Sequence, residues 1–235
     1  AREDVRLIQT PQLSQTEYLR QALKSETLFT DDSSAIKAKG GTVWFIEGDE
    51  NAHKLTHLRD KSKLTCLGVP SSQSFAGNGF DVHSFGGEPP LMIGGLEVSD
   101  TLGFLAHSDG DVALHALCDA LLGAAGAGDI GEHFPDTDIS YKGADSAELL
   151  KKVALFIRSV GFEIGNCDIT IIAQTPKISP FKESIRLRIA QLLGIPPFLV
   201  NIKASTTEEL GFIGRKEGVA VQASAILHYY DWINA

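Results

Sequence analysis

The chain has 235 residues, of which 43% are apolar and 22% are charged, and its formal net charge is −9. This length and composition suit a soluble globular protein with one large domain, or with a small domain and a medium one. The negative charge argues against a nucleic-acid or anionic-membrane surface, although a local site for a small polyanion stays open. The sequence contains no membrane-length apolar run or signal-peptide pattern, and three separated cysteines suit a reducing compartment, so we expect a cytoplasmic protein.

The first 67 residues predict a partial α/β segment. Ser14 and Glu17 have the spacing of a capping box, which predicts a helix over 14–25. A second short helix is predicted to end at Gly40, and the β-branched and aromatic run TVWFIEGD predicts a strand over 42–49. This segment is too small for a full core of its own. Pro, Ser and Gly then cluster without periodicity, which predicts a linker over 68–76.

Strands and helices alternate over 77–235, which predicts an α/β domain. Asp109 or Asp111 is positioned to start one helix, and Asp145 with Glu148 to start another. The remaining patterns predict short strands at 80–82 and 91–93, a buried strand at 168–173, an amphipathic helix at 180–194, and strands at 201–205 and 219–227.

A pattern of metal-ligating residue types lies inside this domain. Asp81 and His83 are two residues apart in a predicted strand, so both side chains project from the same face. They form either a hydrogen-bonded pair on a solvated face or two ligands of a metal ion. His115 has Asp111 and Asp119 one turn away on either side, which indicates either a solvated stripe or a third ligand with a carboxylate that orients it. Two imidazoles and one carboxylate form a known catalytic zinc set.

Three further polar stretches are open to two interpretations each. His107 and Ser108 either cap the following helix or hydrogen-bond a ligand. The glycine-broken acidic loop over 129–138 is either an ordinary surface loop or a lid over a polyol. Ser205, Thr206, Thr207 and Glu208 form either a helix cap or a site for phosphate oxygens and a hard divalent cation. Lys177, beside a turn, is either a solvated lysine or a candidate partner for a phosphate or a base.

Several motifs occur together and in order from Gly77 onward: GFDVHSFGG, LAHSDGDVALHALCDALLGAAGAGDIG, FPDTD, KGADS, DITIIAQTPK and TTEELGFIGR. With them the region 77–235 closely resembles the 2-C-methyl-D-erythritol 2,4-cyclodiphosphate synthase family. The resemblance implies an α+β sandwich-like domain with a mixed sheet. It also implies a homotrimer with active sites between adjacent subunits.

The resemblance further implies a site and a reaction. The substrate would be 4-diphosphocytidyl-2-C-methyl-D-erythritol 2-phosphate, and the products the cyclic diphosphate and CMP. One Zn²⁺ per active site would be held by Asp81, His83 and His115, and Mg²⁺ or Mn²⁺ on the diphosphate by Glu208. The erythritol-phosphate part would face His107, Ser108, Asp129, Gly131 and Asp136, and the cytidine diphosphate would face Ala173, Lys177, Ile178, Ser205, Thr206 and Thr207. Phe212 and Arg215 would line a central channel that can hold an isoprenoid diphosphate.

The first segment resembles the C-terminal part of 4-diphosphocytidyl-2-C-methyl-D-erythritol cytidylyltransferase. Thr30 and Asp31 lie in a matching loop, and Lys54 falls on a lysine of the erythritol-phosphate site of that family. The glycine-rich CTP-binding loop of that family is not found in the sequence. We therefore expect this chain to be part of a bifunctional protein and to have no cytidylyltransferase activity from these residues alone.

Two rival functions use fewer of the motifs. A zinc-dependent phosphohydrolase would keep the metal site and give a linear phosphate. A non-catalytic module that binds isoprenoid diphosphate would use Phe212 and Arg215 and would release no CMP. We expect neither to replace the cyclase, since neither needs all the motifs together.

Overall fold

The computed structural model describes residues 12–24, 27–49, 51–64, 68, 70–106, 108–135, 137–138, 141 and 143–232, with the side chains of residues 58 and 62 left out. The chain divides into two compact units. One comprises Ala1–Val69 with Asp231–Ala235, and the other comprises Pro70–Tyr230. Within the described residues, no helix is both long and apolar enough to cross a membrane.

The first unit contains two short helices, α1 (Thr16–Ala22) and α2 (Asp32–Ala38), and a 3-10 helix (Leu58–Lys63). The predicted capping box at Ser14 is wrong, because α1 starts after Gln15, whose side chain makes no cap, and Glu17 pairs with Arg20 instead. By contrast α2 has a true capping box, in which the Asp31 carboxylate accepts from the backbone N–H of Ser34 at 2.7 Å.

The strand predicted over 42–49 is absent from the structure, which gives this stretch no regular secondary structure. Trp44 and Ile46 are 87% and 93% exposed. β-branched and aromatic residues favour a strand only where a neighbouring strand and a packed face are available. No described strand pairs with residues 42–49, so the local preference has nothing to stabilise it.

The second unit is built on a four-stranded mixed sheet. Its strands are β1 (Ser74–Ser84), β4 (Phe162–Ile172), β5 (Val200–Ser205) and β6 (Gly218–Tyr229), in the order β1-β6-β4-β5, with only β4 and β5 parallel. A separate hairpin of β2 (Leu91–Ile93) and β3 (Leu96–Ser99) contacts the helices of the unit rather than extending the sheet. The predicted linker is too long at its end, because residues 74–76 already belong to β1 and pair with β6.

The helices of this unit are α3 (Val112–Ala124), α4 (Ile130–His133), α5 (Ser146–Ser159), α6 (Lys182–Leu193) and α7 (Gly211–Gly214). Two further 3-10 turns are Ser179–Phe181 and Pro197–Leu199. Asp111 caps the start of α3 and Asp145 caps that of α5 through backbone N–H groups. Gly194 ends α6 in the left-handed conformation that glycine adopts at little cost. The three long helices were predicted within a few residues.

Helix α3 is the centre of the core and packs mainly on β1 and β6. Its alanines, together with Leu114, Leu117 and Leu121, are buried. The helix reaches the sheet at two glycines of β1. A Cβ on Gly77 would lie 2.1 Å from the carbonyl oxygen of Ala120, and one on Gly79 would lie 1.9 Å from that of Ala116. These glycines therefore let α3 approach the strand that carries Asp81 and His83.

The opposite face of β1 is not covered by the residues of this unit that the structure describes. Phe80 and Val82 alternate with Asp81 and His83 along the strand, and they are 61% and 39% exposed. The inward face of the same strand buries Gly77 and Gly79 against α3. The sheet thus has one face packed on helices and one face that carries apolar side chains in solvent.

Candidate metal centre and active site

Strand β1 and helix α3 bring three metal-ligating side chains together. One ligand atom from each of Asp81, His83 and His115 lies within 4.8 Å of the other two. The carboxylate atom Oδ2 of Asp81 is 3.2 Å from Nε2 of His83 and 3.3 Å from Nδ1 of His115. The two imidazole rings meet edge to face, with centroids 5.3 Å apart. These three residues could hold one metal ion, and they are the three that the sequence pattern singled out.

The ring of His83 is held by the backbone of Gly110. Its Nδ1 lies 2.7 Å from the carbonyl oxygen of Gly110, which can only accept, so Nδ1 carries the proton. The lone pair is then on Nε2, which faces Asp81. Gly110 has φ +70°, and a Cβ there would meet Cβ of Phe104 at 2.9 Å and that of Ala106 at 3.0 Å. A glycine is therefore required at this position of the loop.

The ring of His115 is held by a residue that the sequence analysis did not assign to the site. Its Nε2 lies 2.8 Å from Oγ of Ser146, at the start of α5, and 3.4 Å from Oγ of Ser108. Ser146 is completely buried, and its Oγ and backbone N–H both contact the carboxylate of Asp109. Ser146 occurs in the KGADS motif, but nothing in the sequence pattern indicates that it contacts His115.

The prediction that Asp111 or Asp119 orients His115 is wrong. The carboxylate of Asp111 is fully buried and accepts from the backbone N–H groups of Gly94, Gly95, Ala113 and Leu114. It therefore ties the β2–β3 hairpin to the start of α3. Burial raises the pKa of Asp111, against the lowering effect of these N–H donors.

Asp119 also has another partner than His115. Its Oδ1 accepts from the backbone N–H of Ile130 at 2.8 Å, at the start of α4. The side chain is half-buried, and burial is the largest cause that raises the pKa of its carboxyl group. Asp119 lines the same cavity as the three candidate ligands. It contributes negative charge to the cavity without holding a ligand side chain in place.

The Asp81 carboxylate is the least satisfied group of the cluster. Its Oδ2 is buried and has no hydrogen-bond partner that meets normal geometry. Burial raises the pKa of Asp81, but the two imidazoles outweigh that effect, so the net pKa lies well below its ordinary range. For His83, burial lowers the pKa while Asp81 and Gly110 raise it more, and the net pKa is raised. These two pKa shifts mean that the cluster favours a positive charge between the Asp81 carboxylate and the imidazoles.

The three side chains open into a cavity of about 360 Å³. Of the residues assigned by resemblance to the erythritol-phosphate part, Ser108 and Gly131 line this cavity. Asp129 is exposed and uses its Oδ1 to accept from the backbone N–H of Glu132, at the start of α4. The other two, His107 and Asp136, lie outside the described residues.

The residues assigned to the cytidine diphosphate lie in two adjoining segments. The backbone N–H of Ala173 donates to the carbonyl oxygen of Ser205 at 3.0 Å, so the end of β4 lies beside the end of β5. The side chains of Ala173 and Ile178 are buried, whereas Lys177 is exposed. None of these residues is among those that line the 360 Å³ cavity in the described part of the chain.

The hydroxyl-rich stretch bonds mainly to itself. Thr206 Oγ1 donates to Oε1 of Glu208 at 2.7 Å, and Thr207 Oγ1 donates to the carbonyl oxygen of Leu210 at 2.7 Å. Glu208 and Glu209 have φ values of +50° and +66°, which are costly for residues with a side chain. Strain of this kind concentrates at functional sites.

The remaining predicted residues are all placed at the surface. Phe212 is exposed on α7, and the exposed Arg215 pairs with Glu217, with Nε and Oε1 2.8 Å apart. In the first unit Thr30 and Lys54 are exposed, while Asp31 is occupied as the cap of α2.

Comparison with known proteins identifies one family and several relatives that this chain resembles. The YgbB family matches residues 75–228. The bifunctional enzyme IspD/IspF of Campylobacter fetus subsp. fetus is 58% identical over 233 residues, which cover 99% of this chain and 62% of that protein. The corresponding enzyme of Sulfurimonas denitrificans is 57% identical over 231 residues, which cover 98% of this chain and 60% of that protein. The chain thus spans about three fifths of the length of these curated relatives.

Two solved structures are similar to the chain over different extents. The bifunctional IspDF from Campylobacter jejuni is 54% identical with a TM-score of 0.75, and the match covers 99% of this chain and 63% of that one. The CDP complex of IspF from Plasmodium falciparum is 34% identical with a TM-score of 0.60, and the match covers 68% of this chain and 99% of that one. Since the family match extends over most of the sequence and includes all three clustered ligand residues, the chain belongs to the YgbB family.

Proposed function

We propose that the second unit converts 4-diphosphocytidyl-2-C-methyl-D-erythritol 2-phosphate to 2-C-methyl-D-erythritol 2,4-cyclodiphosphate and CMP. The observation that carries this proposal is the buried Oδ2 of Asp81, which has no hydrogen-bond partner and faces a nitrogen of both His83 and His115. Membership of the YgbB family and similarity to the CDP complex of IspF from Plasmodium falciparum support the same reaction.

The three clustered residues fit a zinc ion. His83 and His115 each hold their other ring nitrogen in a hydrogen bond, so a lone pair is free to face Asp81. One carboxylate and two imidazoles are a common set at catalytic zinc, and three protein ligands leave one position for substrate. A bound Zn²⁺ would supply a Lewis acid that offsets charge on the diphosphate.

The reaction needs no nucleophile from the protein. An oxygen of the substrate's 2-phosphate attacks the β-phosphorus, and the phosphorus–oxygen bond to CMP breaks, so the electron pair leaves with CMP. The chain's task is to align two anions that repel each other, which is a matter of positioning and charge neutralisation. Ser108 and Gly131, in the cavity wall, would position the erythritol phosphate. His107, Asp129 and Asp136 would complete that part of the site.

The cytidine diphosphate would be bound by the segments at the ends of β4 and β5. The hydroxyls of Ser205, Thr206 and Thr207 are suited to phosphate oxygens, and Glu208, which is exposed, would hold Mg²⁺ or Mn²⁺ on the diphosphate. Ala173 and Ile178 have buried side chains and would contribute backbone atoms, with the exposed Lys177 beside them.

We further propose that the unit works as a homotrimer with active sites between subunits. Two observations support this. The described cavity at His115 contains none of the residues proposed for the cytidine diphosphate, so one chain holds two separate half-sites. The uncovered sheet face carries Phe80 and Val82, and exposed apolar patches of this kind mark interfaces. Phe212 and the Arg215–Glu217 pair would then lie along the central channel, where an isoprenoid diphosphate could bind.

The first unit belongs, in this proposal, to a cytidylyltransferase domain of a longer bifunctional protein that acts in the cytoplasm. The matches to bifunctional IspD/IspF enzymes along 98–99% of this chain support that assignment. This segment would contribute Thr30, Asp31 and Lys54 to the cytidylyltransferase domain. Asp31 would act through the helix that it caps.

The test is product analysis with the purified chain and the proposed substrate. We expect CMP and the cyclic diphosphate to appear in equal amounts, to vanish after treatment with a chelator, and to return with Zn²⁺ and Mg²⁺. A linear phosphate would identify a hydrolase instead. Binding of an isoprenoid diphosphate with no release of CMP by the metal-loaded trimer would identify a binding module. Either of these results would overturn the proposal.

A further inference from the structure

A chain of hydrogen bonds with a buried serine at its centre leads away from the candidate metal centre and is not part of the ligand set. It starts at Nε2 of His115, passes through Oγ of Ser146 at 2.8 Å, and ends at the carboxylate of Asp109. The backbone N–H of Ser146 also donates to the other oxygen of that carboxylate, at 3.2 Å. Ser146 is one of three buried polar or charged residues in the described part of the chain, while Asp109 and His115 are partly buried.

The protons in this chain can be assigned by counting donors and acceptors. A carboxylate only accepts, and a serine hydroxyl has one proton to donate. The proton of Ser146 therefore goes to Asp109, and its oxygen is left to accept from His115. Nε2 of His115 must then carry the hydrogen, and the lone pair is on Nδ1, which lies 3.3 Å from Oδ2 of Asp81.

We propose that Asp109 and Ser146 are positioning residues that fix the tautomer of His115 and so set the affinity of the site for a divalent cation. If the hydroxyl proton of Ser146 turned toward His115, the Asp109 carboxylate would lose its hydrogen bond from that hydroxyl. One carboxylate oxygen would then have one donor fewer. The negative charge of Asp109 thus favours the one tautomer in which Nδ1 can act as a ligand. This inference rests on the proposed function only in that a cation occupies the site.

The same contacts explain how the site is assembled from distant parts of the sequence. Asp109 precedes α3, His115 lies one turn inside it, and Ser146 is the first residue of α5. Ser146 therefore also has a structural role, and a test must separate loss of structure from loss of the tautomer. Asp145 provides the matched control, because its carboxylate caps the same turn of α5 through Ala147 and does not touch His115.

Two variants break the chain of hydrogen bonds from His115 through Ser146 to Asp109, which is called the relay, in different ways. Ser146→Ala removes the acceptor and leaves His115 Nε2 with Ser108 at 3.4 Å as its remaining described partner. Asp109→Asn keeps the shape but replaces one acceptor oxygen by an NH2 group, while three donors need an acceptor there: the backbone N–H groups of Asp111 and Ser146 and the hydroxyl of Ser146. The two backbone donors are fixed and the hydroxyl can rotate, so the hydroxyl is the donor that turns away and donates to His115. We therefore expect the proton of His115 to move to Nδ1 in this variant.

Two measurements test the relay. The first is the ¹⁵N spectrum of the imidazoles in metal-free protein at a pH where they are neutral, with His115 assigned by comparison with His115→Gln. The second is the affinity for Zn²⁺ or Co²⁺ by competition with a chelator. We expect the Nε2–H tautomer in the wild type, the Nδ1–H tautomer in Asp109→Asn, and affinity lower by about 10- to 100-fold in both relay variants. Asp145→Ala should keep the wild-type tautomer and affinity even though it loses the helix cap.

Several results would overturn the relay. They are the Nδ1–H tautomer in the wild type, an unchanged tautomer and affinity in Asp109→Asn, or an equal loss of affinity in Asp145→Ala. If Ser146→Ala fails to fold, the wild-type spectrum and the nearly isosteric Asp109→Asn still decide the matter. A wild-type protein that binds neither ion would overturn the proposed function, and the tautomer of its metal-free form would still decide the relay.

Discussion

The two candidate half-sites of this chain differ in how they are held. Asp81, His83 and His115 are half-buried, and both imidazoles are fixed by partners from other elements, Gly110 and Ser146. The segment 205–208 is mostly exposed, and its side-chain hydrogen bonds stay within the same turn. The first half-site is therefore preorganised within one chain. The second is held only by contacts within its own turn.

The largest expected effect tests whether zinc binding depends on the first half-site and not on the second. His83→Ala removes a proposed ligand, so we expect loss of bound zinc and a decrease in kcat of about 10²- to 10³-fold. Thr206→Ala removes a hydroxyl that is proposed to bind a charged phosphate, so kcat should fall by about 10- to 100-fold with the zinc content unchanged. Elemental analysis of the purified variants, alongside turnover, checks both. Zinc retained by His83→Ala, or lost by Thr206→Ala, would show that the two half-sites are not divided in this way.

A second prediction concerns the packing that brings the first half-site together. A Cβ on Gly79 would lie 1.9 Å from the carbonyl oxygen of Ala116, so Gly79→Ala must push α3 away from β1. We expect a loss of about 1–3 kcal/mol or more in the free energy of unfolding, because the core is overpacked. The cation affinity should fall with it, because His115 moves away from Asp81.

Gly123→Ala is the matched control for this prediction. Gly123 is exposed near the end of the same helix, and the nearest atom to its added Cβ would be 3.9 Å away. Alanine there should stabilise the protein by about 0.5–1 kcal/mol, since it favours the helix. Urea unfolding of both variants gives the comparison. A Gly79→Ala protein with the wild-type midpoint would mean that α3 does not depend on this glycine.

The predictions from sequence succeeded where the determining contacts are local. Helices α3, α5 and α6 follow from apolar periodicity with capping residues such as Asp145 and Gly194 at their ends. The spacing of Asp81 and His83 places both on one face of a strand, whatever the strand packs against. These features need no knowledge of the tertiary structure, and the structure contains all of them.

Apart from the capping box at Ser14, which is a local prediction that failed, the main failures come from contacts between distant residues. Asp111 is four residues before His115, but it is the cap of α3 and not part of its helical face, so the spacing rule does not apply. Ser146 is 31 residues from His115, and no local pattern joins them. Residues 42–49 have the composition of a strand but no described partner strand. In each case the deciding interaction is a tertiary contact that the local pattern does not encode.

A pH prediction follows from the electrostatics of the first half-site. The pKa of His83 is raised in the folded protein above its ordinary value of about 6.5, because Asp81 and Gly110 outweigh burial. Its contribution to the stability of the metal-free protein is then fully present below the unfolded pKa and is lost as the pH rises through the folded pKa. Cation binding needs the neutral imidazole, so stabilisation by Zn²⁺ should grow over the same window.

The measurement is Tm against pH, with chelator and with Zn²⁺, for the wild type and His83→Gln. The difference in Tm between the wild type and His83→Gln reports the contribution of the His83 imidazole separately from those of the other titrating groups. In chelator this difference should shrink as the pH rises above about 6.5, while the shift produced by Zn²⁺ in the wild type should increase. A metal-free difference that grows with pH would contradict the sign. Asp81 stays ionised over this window because its pKa lies well below its ordinary range.

The smallest expected effect concerns the backbone of the second half-site. Glu209 has φ +66°, a conformation that costs a residue with a Cβ about 1–2 kcal/mol. Glycine would remove this strain but would lose about 0.5–1 kcal/mol through its greater freedom in the unfolded chain. For Glu209→Gly we therefore expect a free energy of unfolding within about 1 kcal/mol of the wild type.

The informative readout for this variant is turnover rather than stability. A glycine beside Glu208 loosens the turn that holds Thr206 and Glu208 together, so kcat should fall, by less than about 10-fold. Lys216→Gly is the control, since Lys216 has φ +62° and lies outside segment 205–208. It should change stability by a similar amount and leave kcat unchanged. If both variants lower kcat equally, or neither does, the strained turn does not organise the second half-site, and its groups must depend on substrate or the neighbouring subunit alone.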